Sequence, residues 1–247
     1  MARYMVRTIF VVSITFLYIF LAGPPVILIS VLTGSPRILF VAGRFGIRIA
    51  IRLGGVKLDV HGREKIDRST PYIYVSNHQS LIDPIVIFQQ VPHDAAALAK
   101  KEFFKLPILG WVCRLAGFVP VDRQSAEKRV QASNEAIRRA KEKRRSFVIF
   151  GEGTRSRDGR LGPFKKGAAI IAIAAGVDII PIAVHGGFAL WPKGRRFFRP
   201  GRVELHFLDP ISTAGMTLED KERLTGIVRA RIAERLRQID PAAIGAE

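Results

Sequence analysis

The sequence predicts an α/β fold, with a mixed, mainly parallel sheet flanked by helices and preceded by an apolar helical hairpin. Three observations lead to this prediction. After residue 55, short apolar runs typical of buried strands alternate with helical patterns. Residues 8–36 contain no charged side chain. Hydrophobic residues make up 48% of the 247, which provides a sizeable core and excludes global disorder. Alternating strands and helices are typical of a sheet covered by helices.

The first predicted element is the apolar run of residues 8–36. About 20 apolar residues suffice to cross a bilayer, but Gly23, Pro24 and Pro25 interrupt this run and are expected to end a helix. Arginines flank both ends, so the positive-inside rule favours both ends on the cytoplasmic side. A signal peptide is the alternative, but there is no convincing small-x-small cleavage site. We therefore expect a re-entrant or interfacial hairpin that turns at the proline pair, with a true membrane span as the other alternative.

A basic helix is predicted next. Its arginines, spaced by seven, four and four residues, are Arg37, Arg44, Arg48 and Arg52. On a helix they fall within one narrow arc, with apolar residues around the rest. We expect this helix to lie in the lipid headgroup layer with its arginines at anionic phosphates. The alternative is a helix of the fold with a solvated basic stripe.

The remaining chain is predicted to form a separate domain, with the boundary near Gly54 and Gly55. This divides the chain into a membrane-associating region, residues 1–54, and a domain of residues 55–247. Strands are predicted at residues 56–60, 72–76, 96–100, 118–121, 147–150, 178–184 and 202–208. Helices are predicted at residues 84–90, 125–145, 167–175 and 217–239, the last with a capping box of Thr217 and Asp220.

Several classes of chemistry receive little support. The single cysteine, Cys113, cannot form an internal disulfide, and its apolar neighbours indicate a small buried side chain. The five histidines, at positions 61, 78, 93, 185 and 206, show no paired ligand spacing, so no metal site is predicted. The formal net charge of +18 requires an anionic partner, which by charge alone is nucleic acid, a membrane surface or a phosphorylated substrate.

The stretch YIYVSNHQSLIDP places His78 and Asp83 five residues apart, where a predicted strand ends. Asp83 precedes Pro84, which is typical of a helix start with an aspartate cap. A loop can fold His78 back onto that carboxylate, which fixes the imidazole tautomer and leaves the other nitrogen free to take a proton. The alternative is an ordinary cap beside an exposed histidine. The spacing alone leaves both interpretations open.

A second polar segment, GEGTRS, follows the strand predicted at residues 147–150. Its glycines allow a close approach of the backbone to a ligand, and Thr154 and Arg155 supply donors suited to phosphate. Lys165 and Lys166 follow downstream. Neither a Walker loop nor a Rossmann fingerprint occurs. By itself this segment is also compatible with a surface turn.

Together these blocks resemble the glycerolipid acyltransferases. NHQSLID at residues 77–83 matches the family signature N-H-x-x-x-x-D, and EGTRS at residues 152–156 matches the next block. GFVPVDR at residues 117–123 and IIPIAVHG at residues 179–186 are similar to two further blocks, and AKKEFFKLPILGW at residues 99–111 also resembles the family. The likeness runs from about residue 56 to residue 211. Gly151, in place of the usual proline, and the Val119-Pro120 pair depart from the family pattern.

Within this family the sequence looks most similar to the 1-acyl-sn-glycerol-3-phosphate acyltransferases. The resemblance implies transfer of a fatty acyl group from acyl-carrier protein or acyl-CoA to the sn-2 hydroxyl of a lysophospholipid, without metal or cofactor. It implies that His78 is the general base and that Asp83 orients it. Residues expected to hold the acceptor are Glu152, Gly153, Thr154, Arg155, Arg123, Lys100 and Lys101. Glu152 is expected either to orient Arg155 or to contact the glycerol.

The implied setting is an anionic membrane surface, namely a bacterial inner membrane with the site on its cytoplasmic side. Three other functions compete with this one. A membrane lipase needs a nucleophilic serine, but the G-x-S-x-G elbow is absent. A nucleic-acid-binding protein accounts for the charge, but no recognised binding motif is present. An acyltransferase for another lysolipid, such as a lyso-aminolipid, keeps the same chemistry and changes only the acceptor.

Overall fold

A single sheet forms the centre of the molecule in the computed structural model, which describes residues 1–122 and 124–244. Within these residues the sheet has seven strands, in the order β1-β7-β6-β2-β5-β3-β4. The strands are β1 (Val56–His61), β2 (Ile73–Ser76), β3 (Ala96–Lys100), β4 (Val119–Val121), β5 (Phe147–Phe150), β6 (Ile179–His185) and β7 (Gly201–Phe207). All neighbours pair in parallel except β6 and β7. The predicted mixed, mainly parallel sheet is therefore confirmed.

Helices precede and cover this sheet. They are α1 (Ala2–Thr33), α2 (Arg37–Gly54), α3 (Ile82–Gln90), α4 (Leu109–Leu115), α5 (Ala126–Glu142), α6 (Gly167–Ala175), α7 (Gly187–Leu190) and α8 (Lys221–Ile239). Short 3-10 helices span Arg63–Lys65, Lys101–Lys105, Leu218–Asp220 and Pro241–Ala243. The capping box of Thr217 and Asp220 is present ahead of α8. Each strand predicted from the sequence is found within two residues of its predicted ends.

Both faces of the central strands are buried, and side-chain alternation divides the core between them. On β2, Ile73 and Val75 join one hydrophobic cluster, whereas Tyr74 joins the other, together with Tyr72 just before the strand. The first cluster is covered by α5, α6 and α8, and the second contains side chains of α3. A strand buried on both faces is read from the sequence as a continuous apolar run, which is why β2 was predictable. This packing holds β2 and β5 in the middle of the sheet.

The hairpin predicted within residues 8–36, with its turn at the proline pair, is wrong; the N-terminal hairpin is instead formed by α1 and α2. α1 continues through Gly23, Pro24 and Pro25, and the chain reverses at Gly34, whose φ is 63°. Proline removes hydrogen-bond donors from a helix, yet its fixed φ is itself helical. The helix is closely packed at this point, since a Cβ on Gly23 would lie 2.4 Å from the Ile108 side chain. Such tertiary packing stabilises the helix through the proline pair.

The two helices of the hairpin pack against each other and against the domain. The Tyr18 hydroxyl donates to the Ala42 carbonyl at 2.8 Å. Arg44 does not face lipid as expected, since its guanidinium binds the Asp94 carboxylate at 3.0 Å and the His93 carbonyl at 2.7 Å. The other three arginines of α2 are exposed. A residue pattern identifies a helix face, but only packing decides what that face meets.

Among the helices in residues 1–122 and 124–244, α1 is long and apolar enough to cross a membrane. Its most apolar window has a mean hydropathy of 2.2, and none of that window is buried. Length and composition alone do not separate a membrane helix from a signal sequence. Exposed large apolar side chains on α1 include Phe16, Phe20 and Leu32, and such a surface requires an apolar partner.

Candidate active site

The predicted site residues lie where β2 and β5 end. His78 follows β2, which ends at Ser76, and Glu152 follows β5, which ends at Phe150. The two strands are parallel neighbours, with Ser76 opposite Phe150. Their carboxyl ends therefore meet at one edge of the sheet, which is where open α/β sheets bind ligands.

His78 and Asp83 are in direct contact at this edge. Nδ1 of His78 lies 3.0 Å from Oδ2 of Asp83. The Asp83 side chain is fully buried, whereas the His78 side chain is 12% exposed. A buried carboxylate at one ring nitrogen favours the tautomer with its proton on Nδ1. Nε2 then carries the free lone pair, which can accept a proton from a bound hydroxyl group.

The start of the helix beside this pair differs from the prediction. α3 begins at Ile82, so Asp83 lies in its first turn and is not the cap residue. Instead, Oδ2 of Asp83 accepts the backbone N–H groups of Gln79 at 2.6 Å and Ser80 at 2.7 Å. The carboxylate therefore closes the loop that carries His78 in addition to binding its ring.

The EGTRS segment holds the main chain of His78. The backbone N–H of His78 donates to Oε1 of Glu152 at 3.2 Å, and its carbonyl accepts the N–H of Ser156 at 2.7 Å. The imidazole stacks on the Phe150 ring, with centroids 3.9 Å apart and planes 21° apart. Two separate segments of sequence therefore fix the position of one histidine.

Buried polar contacts anchor the same loop to the strand β6 and to the segment after α7. The side-chain amide of Asn77 donates to the Val184 carbonyl and accepts the Val184 N–H, both at 2.8 Å. The Ser80 hydroxyl donates to the Trp191 carbonyl at 2.8 Å. The sequence did not identify Asn77 as a brace, although it belongs to the NHQSLID block. An asparagine that pairs with both backbone groups of one strand residue can be recognised only in three dimensions.

Glu152 supports the main chain of His78; the expectation that it orients Arg155 is not met, and its contact with the glycerol stays a prediction. In the described structure its carboxylate accepts the N–H groups of His78 and Gly162, and it does not contact Arg155. Burial raises the pKa of the Glu152 carboxyl to about 7. The contacts of this group identify it as a brace between two backbone segments.

Beside Glu152, the loop offers cationic groups to an anion. Gly153 has a φ of 70°, which glycine adopts without strain. Thr154 is exposed and Arg155 is half-buried. Lys165 crosses above Gly153, since a Cβ added there would lie 3.1 Å from Cδ of Lys165. Within the described residues, the side chains of Arg155 and Lys165 carry no ion pair, so both remain available to a ligand.

The two lysines predicted after EGTRS have different environments. Lys165 lies against Gly153, as described above, whereas Lys166 forms an ion pair with Glu222 of α8. The two side chains therefore point in different directions. Both residues lie immediately before α6, which begins at Gly167. Only Lys165 therefore lies against the loop that carries Gly153.

The other predicted acceptor contacts are less direct. Lys100 and Lys101 lie at the carboxyl end of β3, on the same edge of the sheet but one strand beyond β5. Lys101 pairs with Asp122 at 2.6 Å, and Lys100 lies 3.7 Å from Glu102. Arg123 lies outside the described residues. The loop that carries Gly153, Thr154 and Arg155, by contrast, is bonded to the backbone of His78 at both of its ends, through Glu152 and Ser156.

Gly187 is a contact that the sequence did not predict. Oδ1 of Asp83 is buried and has no hydrogen-bond partner among residues 1–122 and 124–244. A Cβ on Gly187 would lie 2.4 Å from this oxygen and 3.1 Å from Cβ of Ser80. Only glycine allows α7 to approach the carboxylate this closely. In the sequence the sole signal is the second glycine of VHGG.

Comparison with known proteins agrees with this geometry. The Acyltransferase family profile matches residues 57–185, more than half of the 247-residue chain. The chain belongs to this family. The 1-acyl-sn-glycerol-3-phosphate acyltransferase of Limnanthes douglasii is 36% identical over 171 residues. The alpha form of that enzyme from Mus musculus is 32% identical over 194 residues, which are 78% of this chain and 68% of the mouse protein.

A solved structure extends the similarity to the whole fold. The crystal structure of the 1-acyl-sn-glycerophosphate (LPA) acyltransferase PlsC from Thermotoga maritima superimposes with a TM-score of 0.85 at 29% identity. The match covers 100% of this chain and 99% of the other. The plant match covers 69% of this chain and 60% of the plant protein, so the chain spans less than two thirds of that relative's length.

Gly151, one of the two departures from the family pattern, has a structural reason in this acyltransferase. A Cβ at Gly151 would lie 2.4 Å from the Phe164 ring. The backbone N–H of Gly151 also donates to the Ser76 carbonyl at 2.8 Å, a bond that proline cannot make. The glycine and Phe164 therefore fit together, and the departure affects packing behind the site.

Cys113 is buried, in agreement with its interpretation as a small core residue. Burial raises the pKa of its thiol to about 11. The thiolate form that acts as a nucleophile is therefore scarce at neutral pH.

A histidine cluster that the sequence spacing did not predict lies at the ends of β1 and β7. His61, Glu204 and His206 have ligand atoms within 4.8 Å of one another. The two rings are stacked, with centroids 4.4 Å apart and planes 6° apart. Ring-nitrogen lone pairs lie in the ring plane, so two parallel stacked rings do not point at one ion. Arg235 also donates to Nδ1 of His206, which places a cation against the cluster and opposes metal binding.

Proposed function

We propose that this acyltransferase transfers a fatty acyl group from an acyl thioester to the sn-2 hydroxyl of 1-acyl-glycerol-3-phosphate, giving phosphatidic acid. The observation that carries the proposal is the His78–Asp83 pair, 3.0 Å apart, beside a loop with unpaired cations. The names of the similar plant, mouse and Thermotoga proteins support this choice of substrates. A thioester is already activated, so the reaction needs a base and a binding site but no covalent nucleophile.

The pair accounts for the chemical step. Nε2 of His78 removes the proton of the acceptor hydroxyl as its oxygen attacks the thioester carbonyl carbon. The new C–O bond forms, the C–S bond breaks, and the departing thiolate takes the proton from the imidazolium. The buried Asp83 carboxylate stabilises this imidazolium and keeps the ring oriented. The proton returns to the medium with the thiol, so the enzyme is regenerated in one cycle.

The loop beside the pair accounts for acceptor binding. In this proposal Arg155 and Lys165 hold the phosphate, together with Thr154 and the exposed backbone at Gly153. A planar guanidinium binds phosphate with two parallel hydrogen bonds, which fixes its orientation as well as its distance. Anchoring the remote phosphate converts its binding energy into alignment of the sn-2 hydroxyl with Nε2. In this proposal Glu152 also acts through the backbone of His78, which it holds in position for the acceptor hydroxyl.

A second group of cations supplies a broader positive field. Lys100, Lys101 and Arg123 belong to this group in the proposal. Since the two lysines already face carboxylates, they attract anionic substrates over distance and do not form the primary phosphate contact. The donor is acyl-carrier protein or acyl-CoA, both of which are anionic thioesters.

The acceptor and product are lipids, so the site has to open at a membrane. We assign residues 1–54 to membrane association and residues 55–247 to catalysis. The apolar face of α1 enters the bilayer, and the exposed arginines of α2 contact anionic headgroups. The expected location is the cytoplasmic side of a bacterial inner membrane.

An acceptor panel with the purified full chain tests this proposal. One labelled acyl chain is supplied on coenzyme A and on acyl-carrier protein, with lysophosphatidic acid, a lyso-aminolipid or no acceptor. We expect labelled phosphatidic acid with lysophosphatidic acid and no product with His78→Ala. Faster transfer to the lyso-aminolipid would overturn the choice of acceptor. Release of free fatty acid without any acceptor would identify an esterase instead.

A further inference from the structure

The segment after β3 exposes three large apolar side chains on the domain that carries the site. Phe103 is 48% exposed, Leu106 is 47% exposed and Trp111 is 59% exposed. They lie on the 3-10 helix Lys101–Lys105, on α4 and between the two. We call these three side chains the Trp111 patch.

The backbone under the Trp111 patch is firmly bonded. The Leu106 N–H donates to the Phe103 carbonyl at 3.3 Å, and the Gly110 N–H donates to the Leu106 carbonyl at 2.8 Å. The Arg114 guanidinium donates to the carbonyl of the buried Phe104 at 2.8 Å. The patch is therefore a fixed surface, and only an external partner can remove it from water.

The segment that carries the patch packs against α1. Ile108 lies between Leu106 and Trp111 in sequence, and its Cγ2 fills the space above Gly23 of α1. Ile108 has a φ of 59°, which is strained for a β-branched residue and positions it for this contact. On α1 itself, Phe20 is 68% exposed. The segment that carries the Trp111 patch therefore packs against the middle of α1, next to the helix whose apolar side chains are exposed.

Charge and position favour the same partner. Lys105 and Arg114 are exposed beside the patch, and the Arg114 guanidinium lies 6.0 Å from the Trp111 ring. A tryptophan flanked by basic side chains is typical of the boundary between lipid tails and headgroups. Because β3 and β2 are both parallel to β5, this segment lies on the edge of the sheet that carries His78.

We propose that the Trp111 patch is a second membrane contact, separate from the N-terminal hairpin, that inserts into the headgroup boundary of an anionic bilayer. This inference rests on the membrane association proposed above. It adds a statement about how the active site is oriented relative to the membrane. Two contacts, one on α1 and one on the domain, hold the edge with His78 against the lipid surface. A single contact would leave the domain free to rotate about α1.

Tryptophan quenching tests the proposal on the full chain. The protein is reconstituted in vesicles of phosphatidylglycerol and phosphatidylcholine brominated near the headgroup end of its acyl chains. Comparison of the wild type with Trp111→Phe isolates the emission of Trp111. We expect brominated lipid to remove most of that emission. A matched control is Val130→Trp in the Trp111→Phe protein, because Val130 of α5 is also 59% exposed. This second tryptophan is expected to keep its emission.

The outcomes separate this inference from the proposed function. If the wild type does not sediment with vesicles, membrane association itself is wrong. If it sediments but Trp111 is not quenched, the second contact alone is wrong. Shielding of Trp111 only on addition of acyl-carrier protein, or by self-association without lipid, would assign the patch to that partner and overturn the inference.

Kinetics provide an independent measurement. Trp111→Ala is expected to lower activity several-fold on acceptor held in vesicles and to leave activity on a short-chain, water-soluble acceptor unchanged. Sedimentation with vesicles persists because α1 is intact. Val130→Ser serves as the control and is expected to change neither activity. An equal loss of Trp111→Ala activity on both acceptors would contradict a role at the membrane.

Discussion

The loop that carries His78 can be compared with the neighbouring loop that carries Arg155. The imidazole of His78 is bonded to a buried carboxylate and stacked on a phenylalanine. The backbone N–H and carbonyl of His78 are also hydrogen-bonded. Arg155, and Lys165 beside it, have no ion pair within residues 1–122 and 124–244. A general base has to be aligned before the substrate arrives, whereas a cation already paired with a carboxylate would have to break that pair to bind phosphate. In the proposed mechanism, this difference in bonding distinguishes the residue that reacts, His78, from the residues that bind the acceptor.

Removal of the base is the strongest test of this difference. His78→Ala is expected to lower kcat by at least ~10²–10⁴ because the variant lacks the imidazole that takes the hydroxyl proton in the proposed mechanism. Asp83→Asn is expected to be severely impaired too, since its amide cannot stabilise the imidazolium. Initial rates with labelled thioester measure both effects, and thermal unfolding shows whether the variants fold. Near-wild-type turnover in folded His78→Ala would end the proposed mechanism.

A smaller change behind the pair tests how tightly it is held. Gly187→Ala places a methyl group against Oδ1 of Asp83 and forces the carboxylate or α7 to move. We expect kcat to fall by about 10²-fold, because displacements near 1 Å have effects of this size, while the acceptor KM changes little. Gly226→Ala on α8 is the control, since a Cβ there meets nothing within 4 Å. Unchanged kcat in Gly187→Ala would show that the loop tolerates movement.

On the binding side, Arg155→Lys keeps the charge and removes the planar fork. We expect the acceptor KM to rise about tenfold or more, with little change in the donor KM, because a charge-assisted hydrogen bond contributes roughly 1.5–3 kcal/mol. Arg155→Ala extends the same series. An unchanged acceptor KM in the alanine variant would show that Arg155 is not the anchor.

The adjacent lysines offer a matched pair for a smaller effect. Lys165→Ala removes the cation that crosses Gly153 and is expected to raise the acceptor KM several-fold. Lys166→Ala removes only an exposed ion pair with Glu222, which is screened by solvent, and is expected to leave KM unchanged. Equal effects of the two substitutions on KM would mean that general charge, and not position, attracts the acceptor.

The last prediction concerns stability instead of activity, and follows from the titration of Glu152. Burial raises the pKa of this carboxyl from 4.5 to about 7. Its contribution to stability is therefore present below pH 4.5 and is lost as pH rises through about 7. Relative to Glu152→Gln, the wild type should lose up to about 3 kcal/mol between pH 4 and pH 8. Thermal unfolding in detergent measures this difference, and parallel stability curves for the two proteins would contradict it.

Much of the fold was predictable because it depends on local patterns. Strands β2, β5 and β6 are buried on both faces, so each is a short continuous apolar run between polar segments. The capping box at Thr217 is likewise a local signal. The prediction failed at Pro24 and Pro25, where packing of α1 against α2 and the Ile108 side chain overrides the local tendency of proline to end a helix. It also failed for Arg44, whose partner Asp94 lies far away in sequence.

For the site, the sequence by itself determined which residue types are present and in which blocks they stand. His78, Asp83, Thr154 and Arg155 were recognisable because each block is contiguous and its spacing matches a family. Tertiary structure alone decided that Glu152 braces the backbone of His78, that Lys165 and not Lys166 faces the anion loop, and that Gly187 leaves room for the aspartate. The physical reason is that these relations join residues that are distant along the chain. Neighbouring parallel strands bring them together, and no pattern within either segment encodes the contact.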